Sequence, residues 1–272
     1  MLLATSMVPG IVLKVLICII IFLIGITVFS FLNVVSERMI KEGSEKIYEG
    51  RSKCPHCGHS FKISESIPIF SWLYNRRKCP YCFEKISMRG TLVECLGGVL
   101  AVGIVAHYGI GFDSLTLFLV ASVLAVITLI DMDTQTIPPV LNVILGGLGL
   151  ISIFTFPGPS IMERLIGFFC ISIPMFLIVL LIPDGFGGGD IKMMAASGIF
   201  LGWKGNVAAF LIGLLIGGAY GAWLLLSKKK GRKEHFAFGP CLSIGIFVSA
   251  YGGFGAFVVN QYLYMLQTIM AG

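Results

Sequence analysis

The chain has 272 residues, is 56% hydrophobic and only 12% charged, and has a mean hydropathy of +0.92. Ordinary soluble domains carry about 25% charged residues, so the composition excludes a soluble globular protein. Twenty Lys and Arg stand against fourteen acidic residues, for a net charge of +6. A basic excess can mean nucleic acid, but Lys and Arg beside apolar spans mark the cytoplasmic side of a membrane, and no nucleic-acid partner is expected.

In chain order, apolar runs lie at 11–35, 91–108, 114–130, 138–156, 164–183, 191–203, 206–227 and 240–266, the sixth of them short. At ~20 apolar residues per span, the reading is an all-α polytopic membrane protein of about eight transmembrane helices embedded in the lipid bilayer. Its expected domains are a first transmembrane helix (1–35), a small cytoplasmic zinc-binding loop domain (36–90), and a seven-helix membrane domain (91–272). The first run is longer than the 7–15 residues of a signal-peptide apolar region, so it reads as a retained span. Sixteen of the twenty basic residues fall in 36–90 and in the segment 228–235. Placing both on the cytoplasmic face also puts the connections 131–137 and 184–190 there, and leaves Lys14, Arg164 and Lys204 on the other side.

Segment 36–90 contains Cys54-Pro-His-Cys57 and Cys79-Pro-Tyr-Cys82, two CxxC knuckles separated by 21 residues. Two such turns supply the four thiolates of a tetrahedral zinc site, and the doubled motif is more typical of metal than of redox chemistry. Four thiolates close the coordination shell, so the expected Zn2+ is structural, a staple for a segment near the size at which a core alone is marginal. Cys18, Cys95, Cys170 and Cys241 lie in apolar runs and read as small hydrophobes.

Acidic residues at or inside spans are costly and mark function by default. One group is Asp131-Met132-Asp133, after the third run; the other is Asp184-Gly185-Phe186-Gly187-Gly188-Gly189-Asp190, followed by Lys192. Parity places both at the same membrane boundary. There, two carboxylates brought together share a proton: one acts as general base toward a water while the other polarises a carbonyl. The glycines permit an unwound backbone and close approach of an extended peptide. A phosphate-binding loop is disfavoured, because Lys192 follows an Asp and no Ser or Thr completes that pattern. Intramembrane acids also build ion-coupled transporters and channels, the competing class, but transporter acids usually lie near the midplane, not at span ends.

These residues resemble the type IV prepilin peptidase family, the GxGD-type membrane aspartyl proteases that act as prepilin leader peptidases and N-methyltransferases. The likeness runs through Ser30-Phe31-Leu32-Asn33, the paired knuckles, Leu92-Val93-Glu94, Ile130-Asp131-Met132-Asp133 leading to Ile137-Pro138, Gly185-Phe186-Gly187-Gly188-Gly189-Asp190-Ile191-Lys192, and Phe238-Gly239-Pro240. It implies that Asp131 and Asp190 are the catalytic pair, that Gly187, Gly189 and Lys192 belong to the catalytic loop, and that Asp133 tunes the pair or caps its helix. It further implies cleavage of the basic leader of prepilins or pseudopilins of type IV pilus and type II secretion systems. The cut falls at the cytoplasmic face of the bacterial inner membrane and is followed by methylation of the new N-terminus with S-adenosyl-L-methionine. The chain departs from the family at Phe29, where a Gly is usual, at Ser36-Glu37-Arg38-Met39, and at Pro139, where an Asp is common. It has no Gly-rich fingerprint for the methyl donor, so that site has no residue assignment and methyl transfer rests on the resemblance.

Overall fold

The computed structural model describes residues 2–42, 57, 81–82, 88–156, 158–182, 185–227 and 237–271. Every regular element among them is helical: α1 (Leu2–Glu42), α2 (Met88–Tyr108), α3 (Phe112–Thr134), α4 (Pro139–Thr155), α5 (Ile161–Cys170), α6 (Ser172–Leu181), α7 (Gly188–Leu226), α8 (Gly239–Ala250), a single 3-10 turn (Tyr251–Gly253) and α9 (Phe254–Ala271). The all-helical membrane class follows directly: in hydrocarbon the backbone polar groups must pair internally, and helices do this within one segment. Cys54, Cys79, most of the expected loop domain 36–90, Asp184 and the basic run 228–233 lie outside the described residues.

Among the described residues, six helices are long and apolar enough to cross a membrane, fewer than the eight expected. The physical reasons are local. Helix α4, standing for the run 138–156, has 17 residues and is a shorter apolar helix. The runs 191–203 and 206–227 are continuous in helical hydrogen bonding as α7. The chain nevertheless reverses within α7, because Gly202 has φ 67° and ψ 175°, a left-handed backbone suited to glycine. Asn206 Nδ2 donates to Met194 O (3.0 Å) and Ser197 Oγ donates to Asn206 Oδ1 (2.9 Å). An unbroken helix would hold residues 194 and 206 about 18 Å apart.

The chain forms two compact units, Met1–His107 and Tyr108–Gly272. In the first, α1 meets α2 where a Cβ on Gly25 would stand 2.5 Å from Gly97 O and one on Gly98 would stand 2.6 Å from the Phe22 ring. Small residues let membrane helices approach this closely. Ile26, Phe29 and Glu94 are buried.

In the second unit, α7 is the hub, touching α4, α5, α6, α8 and α9. Its crossing with α5 is so close that any side chain at Gly198 would collide with the Gly167 carbonyl. Helix α3 runs towards Asp131, α4 returns, and the first half of α7 and α8 both start beside Asp131, so this unit has an aspartate end and an opposite end. At the opposite end Tyr108, Phe156 and Phe200 form a ring cluster with centroids 5.5 and 5.3 Å apart. Arg164, 4% exposed, is held there by neutral acceptors: Nε donates to Pro159 O (3.0 Å), and the two terminal nitrogens to Ser152 Oγ (2.6 Å), Ile199 O (2.8 Å) and Ser152 O (3.3 Å). Ser152 and Ile199 lie in the last turns of α4 and of the first half of α7, where a cation meets the negative end of the dipole; Ser152 O also accepts from Phe156 N (3.0 Å). A cavity of about 210 Å³ opens at this end between Phe156, Pro159, Trp203, Lys204 and Asn260. Its charges are mutually satisfied, since Lys204 Nζ is 3.6 Å from Glu163 and 5.7 Å from the Trp203 ring.

Candidate active site

The site lies at the aspartate end of the second unit, where three helix termini meet. Asp131 is three residues from the end of α3, which closes with Gln135 in the left-handed conformation donating to Asp131 O. Asp190 is the third residue of α7, and Gly239 is the first of α8. The Asp131 and Asp190 side chains are 4% and 8% exposed and interact electrostatically with each other, although 59 positions separate them in the chain. The structure therefore brings together the two acids that sequence reasoning had paired.

Each carboxylate faces a helix N-terminus. Gly239 N donates to Asp131 Oδ2 at 2.9 Å within the buried interior, and a Cβ at Gly239 would stand 2.7 Å from that oxygen. Only a residue without a side chain lets the amide come so near. Asp190 Oδ2 lies close to Gly187, where a Cβ would stand 3.0 Å from it. In one half of a capping box the third helical residue satisfies the amide ahead of the helix, and Asp190 stands at that position. The other half needs a Ser or Thr in place of Gly187 and is missing. Anions at helix N-termini are favoured by the unpaired amides and the dipole, so the site supports the single negative charge of a proton-sharing pair.

Neighbouring residues fix the loop that carries Asp190. A Cβ at Gly189 would stand 2.8 Å from Ile137 Cβ, and Asn142 Nδ2 donates to Gly189 O at 3.2 Å. The Phe186 ring packs against Phe210 and Phe238 with centroids 6.2 and 5.9 Å apart, tying the glycine loop to the residue before Gly239. Cys241, in the first turn of α8, is buried, as expected of a small core hydrophobe.

The other expected residues are placed as follows. Asp133 and Lys192 are exposed, as is Gly187, and Gly189 is half-buried. Asp133 points away from the interior that holds Asp131, as expected of two positions i and i+2 on one helix. Cys57 and Cys82 are described, whereas their partners Cys54 and Cys79 are not, so the zinc set falls outside the described residues. No group of three or more His, Cys, Asp or Glu with metal-binding geometry occurs among the described residues. Asn142 was missed by sequence reasoning. Its one available signal is a polar side chain within an otherwise apolar run, which also fits a solvent-facing or helix-crossing amide.

Comparisons with known proteins identify the family of the chain. Residues 23–108 match the Bacterial Peptidase A24 N-terminal domain and residues 118–222 match the Type IV leader peptidase family. The chain is 30% identical to a prepilin leader peptidase/N-methyltransferase of Aeromonas hydrophila over 86% of its own length and 90% of the relative's. Proteins of the same name from Stutzerimonas stutzeri and Xanthomonas campestris are 29% and 30% identical, each over 85% of this chain and 89% of the relative. No solved structure gives a significant match. With a matched relative spanning nearly its whole length and two family domains in tandem over the helices just described, the chain belongs to the type IV leader peptidase family.

Proposed function

We propose that the protein is a membrane aspartyl endopeptidase that removes the basic leader of type IV prepilins or pseudopilins, with Asp131 and Asp190 as its catalytic pair. The observation that carries this reading is the meeting of two buried, electrostatically coupled carboxylates at helix N-termini. One carboxylate takes a proton from water as the oxygen attacks the scissile carbonyl carbon. The other, protonated, donates to the carbonyl oxygen, and a proton then passes to the leaving amine as the carbon–nitrogen bond breaks. Asp131→Asn and Asp190→Asn should each reduce cleavage of a synthetic prepilin segment by about 10²–10⁴-fold, with the protein still folded in detergent. Normal processing by either variant would overturn the assignment.

The names of the relatives support a second activity, S-adenosyl-L-methionine-dependent methylation of the new N-terminus. A second mass shift of the cleaved product in the presence of the methyl donor tests it. Cys54, Cys57, Cys79 and Cys82 suit a structural zinc ion, which would hold the loop 36–90 in shape when bound. Metal analysis of the purified protein, compared with Cys54→Ser/Cys57→Ser, should show zinc lost from the variant. Charge placement supports a multi-pass protein of the bacterial inner membrane whose active site faces the cytoplasm, with the two halves of α7 crossing separately and α4 as a short span. Prepilins in the bilayer are the partners this reading requires.

A further inference from the structure

The cavity at the Arg164 end takes no part in the proposed cleavage, and its walls divide by polarity. Phe200, Leu201 and Ala250 are buried and make an apolar floor. Its mouth is polar: Glu163 and Lys204 are part-exposed, and Asn260 of α9 is exposed. At about 210 Å³ the cavity is smaller than the roughly 300–1,000 Å³ of sites that enclose a whole small molecule. It suits one part of a longer amphiphile, with apolar carbons on the floor and a polar group at the mouth.

Charge selects the polar group. Glu163 and Lys204 cancel each other across 3.6 Å, and the Glu163 carboxylate is held further by Ser160 N at 2.9 Å. Among the described residues the Lys204 ammonium meets only that carboxylate and the Trp203 ring, so donors remain open at the mouth. The Arg164 guanidinium lies behind the wall, donating to the carbonyl of Pro159, itself a lining residue, and every partner it has is neutral. Its hydrogen bonds are complete, but its charge is not cancelled. The other acid described at this end, Asp113, does not line the cavity and accepts from Ser114 N. A buried charge acts over a longer range than an exposed one, so the cavity favours an anion. Trp and Lys are also the side chains that gather where protein meets lipid headgroups, and the reversal at Gly202 ends a span if the two halves of α7 cross separately. We propose that this cavity binds an anionic phospholipid, phosphatidylglycerol, with its phosphate on Lys204 and its first apolar carbons on the floor at Phe200 and Leu201.

The test uses the full-length protein carrying Trp72→Phe and Trp223→Phe, so that Trp203 is its only indole. In phosphatidylcholine nanodiscs its fluorescence is quenched by a lipid brominated on the acyl chains, supplied either as phosphatidylglycerol or as phosphatidylcholine. Half-quenching should need about tenfold less of the brominated phosphatidylglycerol. Lys204→Gln should abolish that preference, and Ala256→Phe, which fills the cavity, should abolish it with the ammonium intact; if the phenylalanine variant does not fold, Lys204→Gln alone decides. Equal amounts of the two lipids at half-quenching in the parent protein, or a full preference kept by either variant, overturns the proposal. Inorganic phosphate in excess should leave the preference in place; its loss would assign the site to free phosphate and overturn the lipid.

Discussion

The two ends of the second unit hold similar chemistry in opposite states of completion. At the Arg164 end, Ser160 and Glu163 form a full capping box, Lys204 pairs with Glu163, and the guanidinium is surrounded by carbonyl and hydroxyl acceptors. At the aspartate end, the box before α7 has only its acidic half, and the buried Asn142 has one open acceptor. Satisfied polar groups in a low-dielectric interior rigidify a fold, and unsatisfied ones weaken it by about 1–3 kcal/mol each. The difference teaches that polarity alone does not mark a site in this membrane protein. Arg164, the most conspicuous buried charge, is held wholly by neutral acceptors, and the chemistry proposed for this protein lies instead at Asp131 and Asp190.

That contrast is broken most sharply by exchanging the readouts. Asp190→Asn should cost about 10³-fold in cleavage, near 4 kcal/mol of barrier, while its thermal midpoint in detergent stays close to that of the wild type. Arg164→Leu should do the reverse, lowering stability by about 3 kcal/mol as Pro159 O, Ser152 Oγ and Ile199 O lose their donor; wild-type thermal stability in that variant would remove the structural role. Gly202→Ala, forced into a left-handed backbone with its Cβ 2.6 Å from Pro159 Cβ, should destabilise by about 2 kcal/mol, measurable by the same melts. Gly239→Ala belongs to the other end. By pushing on Asp131 Oδ2 it should lower kcat about tenfold with a smaller change in melting, and unchanged kcat would argue against the amide's part in the site. Asp133→Ala, at an exposed position, should change stability by less than about 0.5 kcal/mol and leave cleavage within about threefold; a full loss would move the catalytic assignment from Asp131 to its neighbour.

Much of this was legible in the sequence because the bilayer admits few solutions. Apolar runs became helices, and the two acids could be paired from span-end position and glycine context before their proximity was known. The run boundary between 203 and 206 also anticipated the reversal at Gly202, although the helical hydrogen bonding carries on through it. Less legible were features that depend on which faces meet. The run 164–183 divides into α5 and α6 at Ile171, and 240–266 divides at the turn Tyr251–Gly253, because local backbone breaks leave little trace in hydropathy. Asn142 and Asn206 look alike as single amides in apolar stretches; only tertiary contacts reveal that one is complete and the other open.

The reversal at Gly202 also sets a depth. Twelve helical rises separate Asp190 from Gly202, about 18 Å, whereas the hydrocarbon layer is about 30 Å thick, and any tilt shortens the reach further. The first half of α7 is therefore roughly 12 Å shorter than a full crossing of that layer. A hydrolase built on so short a segment must either thin the bilayer around it or hold its site below the headgroups in a wet funnel. Turnover would then respond to the acyl-chain length of the surrounding lipid as well as to the peptide being cut.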